Sequence, residues 1–133
     1  MPHLFQKLTP NLVVSDVARS VAFYRDILGC EVTATVPDAA PFVFATVQSG
    51  PVEIFFNSRE AVAAEYPSLV ERPLGGTLTL FIEVQDISAL HESLKDRVTI
   101  VMPLEKKWYG VIEFAFLDPD GYIITFAQPE TGA

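Results

Sequence analysis

A strand, a helix and three further strands are written twice in succession along this chain, and that repetition constrains the fold more than any single motif. The turn Phe116-Leu117-Asp118-Pro119-Asp120-Gly121-Tyr122-Ile123-Ile124-Thr125-Phe126 joins two apolar runs, and Thr46-Val47-Gln48-Ser49-Gly50-Pro51-Val52-Glu53-Ile54-Phe55 is its fainter copy. Upstream of each, Val14-Ser15-Asp16-Val17 and Val84-Gln85-Asp86-Ile87 end a strand-like run and open a helix, seventy residues apart. Asp118-Pro119-Asp120-Gly121 has the chemistry of a tight reversal, because Pro presets φ and Gly accepts the φ > 0 that follows. The first copy turns with two residues fewer, so Thr9 corresponds to Thr79 and Glu53 to Thr125.

Within the first copy the pattern predicts strands over 8–14, 31–36, 42–47 and 52–56, with a helix over 16–28 closed by Gly29. Val17, Val21, Tyr24 and Leu28 fall on one helical stripe that suits a sheet, and Arg19 and Arg25 lie off it. The second copy predicts strands over 77–84, 98–102, 111–117 and 122–128 and a helix over 86–95, with 103–110 as one long excursion. Modules of about 5–57 and 76–129, joined by a helical linker over 58–75, make one domain of residues 1–133. Such a chain is α+β, two sheets of four strands, each backed by a helix, curling around a common hollow.

With 133 residues, half of them hydrophobic, the chain can bury a core without staples. The single Cys30 forms no internal disulfide and reads as a small filler where a strand starts. No apolar run approaches the ~20 residues of a membrane span, and Met1-Pro2-His3-Leu4-Phe5 lacks the apolar stretch of a signal peptide, so a cytoplasmic location is expected. Seventeen acids against nine bases give a net charge of −8, which argues against nucleic acid and suits either a cationic small molecule or plain solubility. Neither a Gly-rich phosphate loop nor a nucleophile triad with workable spacing is present.

The opening Asn11-Leu12-Val13-Val14-Ser15-Asp16-Val17-Ala18-Arg19-Ser20-Val21-Ala22-Phe23-Tyr24-Arg25-Asp26-Ile27-Leu28-Gly29 resembles the vicinal oxygen chelate superfamily of glyoxalase I, bleomycin resistance proteins, extradiol dioxygenases and fosfomycin-modifying enzymes. The closing 110–121 segment resembles the same family, and Trp108 before it is most similar to the bleomycin resistance branch. The resemblance implies two tandem βαβββ modules forming a half-open, eight-stranded β-sheet cavity with helices outside. It also implies a homodimer. Enzymes of the family hold their metal at one position on the first and last strand of each module, which here are Thr9, Glu53, Thr79 and Thr125. Those enzymes carry His, Glu, His and Glu or close variants, so only Glu53 matches, and threonine hydroxyls are poor ligands for zinc, nickel or iron. No metal and no other cofactor is therefore expected, and metal-dependent glyoxalase, dioxygenase and fosfomycin-transferase activities are disfavoured. Of the two histidines, His3 lies in the N-terminal arm and His91 on the second helix, where a partly packed or exposed side chain is expected rather than a ligand.

Strand alternation sends Leu8, Leu12, Val14, Ile54, Phe56, Leu78, Leu80, Ile82, Ile124 and Phe126 towards the helices, and Phe114 and Phe116 into the core. The opposite faces hold Thr9, Asn11, Val13, Glu53, Phe55, Thr77, Thr79, Phe81, Ile123, Thr125 and Ala127, a mixture that suits either a ligand pocket or a half-solvated sheet. A carboxylate at Glu53 needs a partner: a cationic ligand, a proton to abstract as general base, or a Lys or Arg of this chain or a dimer mate. Trp108 and Tyr109, ahead of Gly110, offer either flat faces to an aromatic or cationic ligand or packing at an interface. Phe42 and Phe44 stay unassigned to a face, while residues 37–41 and the linker around Tyr66 can reshape a pocket.

The expected function is metal-free binding of a small cationic or aromatic compound, such as a glycopeptide antibiotic, by sequestration. The candidate contacts are Thr9, Asn11, Glu53, Phe55, Thr79, Phe81, Trp108, Tyr109 and Thr125. The alternative is a metal-independent isomerase or lyase with Glu53 as base. A third reading is an interaction module with a filled cavity, whose stability no ligand would raise.

Overall fold

The computed structural model describes residues 3–130, leaving Met1, Pro2 and the last three residues of the expected 1–133 domain outside the described residues. The chain forms two compact units, Met1–Arg72 and Pro73–Ala133. In the first, β1 (Asn11–Val14), β2 (Glu31–Val36), β3 (Phe44–Ser49) and β4 (Val52–Ser58) form a sheet in the order β1-β4-β3-β2. β1 runs parallel to β4 and the other pairs are antiparallel. In the second, β5 (Thr79–Glu83), β6 (Thr99–Lys106), β7 (Val111–Leu117) and β8 (Ile123–Pro129) repeat the scheme as β5-β8-β7-β6. Each unit thus has the βαβββ order of the repeat, with α1 (Val17–Ala22) or α3 (Ile87–Leu94) after its first strand.

One face of each sheet is the core. Leu12, Val14, Ala45, Val47, Ile54 and Phe56 are buried beside Val17, Val21 and Tyr24, whose ring lies 4.9 Å from that of Phe56. In the second unit Leu80, Phe114, Phe116, Ile124 and Phe126 are buried with Ile87 and Leu94, and the rings of Phe114, Phe116 and Phe126 contact one another at 5.2–5.8 Å. Burying such a side chain stabilises by about 1.5–3 kcal/mol, so these faces dominate the energetics. His91 sits half-buried, edge-on to Phe114 at 5.0 Å.

Leu8 and Leu78 do not join this core; they are 88 % and 50 % exposed because β1 and β5 begin later than alternation suggests, at Asn11 and Thr79. Pro10 explains the first delay: it has no N–H to give a ladder, although its carbonyl accepts from Phe55 N at 2.9 Å. Leu4 and Phe5 of the arm are exposed as well. The first helix is not continuous to Leu28 either; after Ala22 it widens into a π turn, Phe23–Ile27, in which Leu28 N donates to Phe23 O. The linker contains α2 (Arg59–Glu65), capped by the Ser58 hydroxyl accepting from Ala61 N, and a 3-10 turn over Pro67–Leu69.

The repeat also diverges chemically where its helices start. The Asp16 carboxylate accepts from Arg19 N at 3.2 Å, an ordinary N-cap. Asp86 instead takes a left-handed backbone, φ 56°, and Ile87 N donates to Gln128 Oε1 on β8 at 2.8 Å. Inside α1, Ser20 is fully buried and its hydroxyl lacks a partner among the described residues. Ser20→Ala removes that stranded group and improves helix propensity, so it is expected to raise stability by about 1 kcal/mol in urea unfolding. A destabilised variant would show that the hydroxyl is satisfied in solution.

Candidate functional site

The faces turned away from the helices carry the polar and aromatic residues. In the first unit, alternation and register put Asn11 and Val13 of β1, Glu53, Phe55 and Asn57 of β4, and Phe44, Thr46 and Gln48 of β3 on one surface. Neighbours there are paired. Asn57 Nδ2 donates to Asn11 Oδ1, the Thr33 and Thr46 hydroxyls share a hydrogen bond, and the Phe44 and Phe55 rings meet edge to face at 5.4 Å. That last contact places Phe44 on the open face, the assignment alternation left unmade.

Glu53 has its partner within the chain. Lys7 Nζ lies 2.5 Å from Glu53 Oε1, with the two side chains 59 % and 20 % exposed. An ammonium that exposed remains displaceable, since ion pairs in contact with water contribute only about 0–1 kcal/mol. Beside this surface, Asn11, Val13, Val62, Tyr66 and Leu69 line a cleft of about 210 Å³. Its far wall is α2 and the 3-10 turn, so the linker borders the open face.

In the second unit the equivalent surface holds Thr79, Phe81 and Glu83 of β5, Ile123, Thr125 and Ala127 of β8, and Glu113, Ala115 and Leu117 of β7. Phe81 is 61 % exposed, whereas Thr125 is buried at 7 %. Thr125 is therefore the more covered of these strand residues. Thr79 is exposed, and Thr9 is half-buried in the arm before β1, not on a strand. As donors for zinc, nickel or iron, these three hydroxyls and a carboxylate already facing an ammonium do not fit.

The excursion predicted over 103–110 is mostly strand. β6 runs to Lys106 through Pro103, which is tolerated because β6 is an edge strand whose register shifts between Ile100 and Met102 and again between Met102 and Glu105. Trp108 and Tyr109 consequently occupy the tip of a hairpin closed by Lys107 N to Val111 O at 2.8 Å and Gly110 N to Lys107 O at 3.0 Å. Gly110 has φ 83°, which a side chain would disfavour. Trp108 is 94 % exposed and packs edge-on to Tyr109 at 5.2 Å.

Sequence reasoning passed over Glu113. It sits on β7, buried at 4 %, and Tyr109 Oη donates to its Oε2 at 2.6 Å. That hydrogen bond, then burial and the charges of Glu113 and Glu105, raise the Tyr109 pKa above its ordinary value, so the phenol stays a donor. The available signal was an acid at an outward position of a strand, four residues after a tyrosine across a Gly turn. Burial also raises the Cys30 thiol, in keeping with an unreactive filler.

The profile of the Glyoxalase/Bleomycin resistance protein/Dioxygenase superfamily matches residues 2–126. A bleomycin resistance protein of Geobacillus stearothermophilus is 28 % identical over 124 residues, covering 90 % of this chain and 93 % of the relative. Among solved structures, a glyoxalase/bleomycin resistance protein/dioxygenase from Nocardioides superposes with a TM-score of 0.81 at 20 % identity, covering 100 % of this chain and 89 % of the other. TnmS3, an antibiotic binding protein from Streptomyces sp. CB03234, superposes with a TM-score of 0.74 at 20 % identity, covering 96 % and 99 %. At that identity both superpositions speak for the fold alone. No described helix is long and apolar enough to cross a membrane.

Proposed function

Because this chain belongs to the Glyoxalase/Bleomycin resistance protein/Dioxygenase superfamily, we propose that it binds and sequesters a small organic molecule combining cationic and aromatic parts, such as a bleomycin-type glycopeptide. One observation carries this reading: Phe81 and Trp108 are 61 % and 94 % exposed in a unit whose other phenylalanines are buried. Folding leaves such large apolar groups uncovered at a cost, and flat faces of this kind are what an aromatic ligand stacks on. The bleomycin resistance protein to which the chain is similar supports the choice of ligand class.

The contacts proposed on the first unit are Thr9, Asn11, Glu53 and Phe55, next to the cleft walled by Tyr66. Those proposed on the second are Thr79, Phe81, Trp108 and Tyr109. A metal-free isomerase or lyase using Glu53 is the weaker reading, since the carboxylate already has an ammonium partner in Lys7 that favours its ion pair over proton abstraction. A homodimer in the cytoplasm is the proposed setting. The exposed Leu4, Phe5 and Leu8 of the arm offer apolar surface for a second copy.

Calorimetric titration with a bleomycin-type glycopeptide, with chelator present, tests the reading. Saturable binding is expected, and Trp108→Ala should weaken it roughly twofold to thirtyfold, the equivalent of about 0.5–2 kcal/mol of stacking or cation–π contact. A flat titration of the wild-type protein would remove the antibiotic assignment.

A further inference from the structure

We propose that Glu113, held by Tyr109 at the base of the β6–β7 hairpin, is the carboxylate that receives an ammonium or guanidinium group of the ligand. The inference builds on the binding reading above and identifies which acid carries its electrostatics.

The argument is one of charge neutralisation. A buried carboxylate is costly unless a cation or several donors compensate it. The neighbouring acids of this unit have ammonium partners: Lys107 pairs with Glu105, and Lys106 Nζ lies 2.8 Å from Glu130 Oε1. In the other unit Lys7 does the same for Glu53. Glu113 is more buried than any of these, at 4 %, yet its hydrogen-bond partner among the described residues is a neutral phenol. Tyr109 engages one of the two Glu113 oxygens, Oε2, and the other is not among the side-chain atoms that are both buried and unpartnered in the described residues. The ligand cation is placed at that second oxygen, reached by displacement of the exposed hairpin tip that carries Trp108 and Tyr109.

What surrounds the carboxylate suits a cation. Glu105 lies opposite Glu113 in register on β6, and Ala127 flanks it on β8, so the strands beside it contribute a second negative charge and no positive one at the paired positions. The ammonium of Lys107, at the foot of the same hairpin, is engaged by Glu105. Tyr109 fixes one carboxylate oxygen without neutralising it. Trp108, edge-on to Tyr109, adds a ring face within the same hairpin tip, where a cation gains from the π quadrupole. A neutral ligand of equal shape would gain from the ring and leave the carboxylate uncompensated. The site should thus discriminate on charge.

The test uses 2-phenylethylamine and its neutral counterpart 2-phenylethanol, read by the fluorescence of Trp108, the chain's single tryptophan. The amine should quench saturably and bind at least tenfold more tightly than the alcohol. Glu113→Gln should bring the amine down to the level of the alcohol, and Glu113→Asp should keep a reduced preference for the amine. Circular dichroism establishes that each variant is folded. Glu60→Gln, at an exposed position of α2, should leave the titration as it was. A folded Glu113→Gln protein that binds the amine as tightly as wild type would falsify the proposal, as would equal binding of amine and alcohol. Glycopeptide binding with no amine preference would overturn this inference alone. A Glu113-dependent amine preference without glycopeptide binding would overturn only the antibiotic reading.

Discussion

Asp118→Ala is expected to destabilise the protein by about 3 kcal/mol, read as a lower urea midpoint at unchanged slope. Asp118 is 5 % exposed, and one of its oxygens accepts from Asp120 N at 2.9 Å and from Tyr122 N at 3.0 Å. Its backbone closes the same turn, with Asp118 N to Tyr122 O at 2.9 Å and Gly121 N to Asp118 O at 3.1 Å. Alanine removes the oxygen that accepts from both N–H donors, that of Tyr122 in a residue only 7 % exposed, and losing the acceptor of a buried donor costs about 1–3 kcal/mol. Asp118→Asn retains an acceptor oxygen and should cost only about 1 kcal/mol, because it gives up charge assistance and not the hydrogen bonds. Should alanine prove within about 0.5 kcal/mol of wild type, the carboxylate is not what holds the β7–β8 turn.

Gly75→Ala is expected to cost a similar amount, about 3 kcal/mol, through a different mechanism at the same turn. Gly75 is buried with φ +90°, and a Cβ there would lie 3.0 Å from Gly121 O, 3.1 Å from Asp120 O and 3.1 Å from Gly121 C. All three atoms are backbone, so neither they nor the new methyl can rotate away. Gly121→Ala separates the two contributions: its φ is +87° but no atom lies within 4 Å of the added Cβ, leaving the conformational cost of about 1–2 kcal/mol alone. If the two variants lose equal stability, the close approach of Gly75 to the turn contributes nothing. In the double variant Asp118→Ala, Gly75→Ala, the loosened turn should yield, so the costs should add to less than their sum by about 1 kcal/mol.

The same turn illustrates how much was legible in residue order. Pro119 and Gly121 announce a reversal whatever surrounds them, since their φ preferences are intrinsic. The strands β2 and β7 fall within the predicted bounds, Glu31–Val36 and Val111–Leu117, because regular apolar runs there are bracketed by Gly or turn residues. β6 was misread because Pro103 is a breaker in a central strand and acceptable at a bulged edge, and edge position is a property of the assembled sheet. The N-terminal arm fails the other way: Leu8 alternates like a strand residue, yet Pro10 delays the start of pairing.

For the candidate site the division is sharper. Composition, the repeat and the departure from the His and Glu ligand pattern at Thr9, Thr79 and Thr125 come from residue identities, which carry their own chemistry into any fold. Which acid is neutralised does not. Lys7 and Glu53 are 46 residues apart, and their pairing exists because the arm is laid beside β4. Glu113 and Tyr109 are close in sequence, but the burial of one and the hydrogen bond from the other depend on a hairpin that folds Tyr109 back over β7. Local periodicity encodes which face a side chain takes, because that is set by backbone geometry within a few residues. Solvent access and charge partnership are set by what the rest of the chain brings alongside, and so Glu113 emerges only in three dimensions.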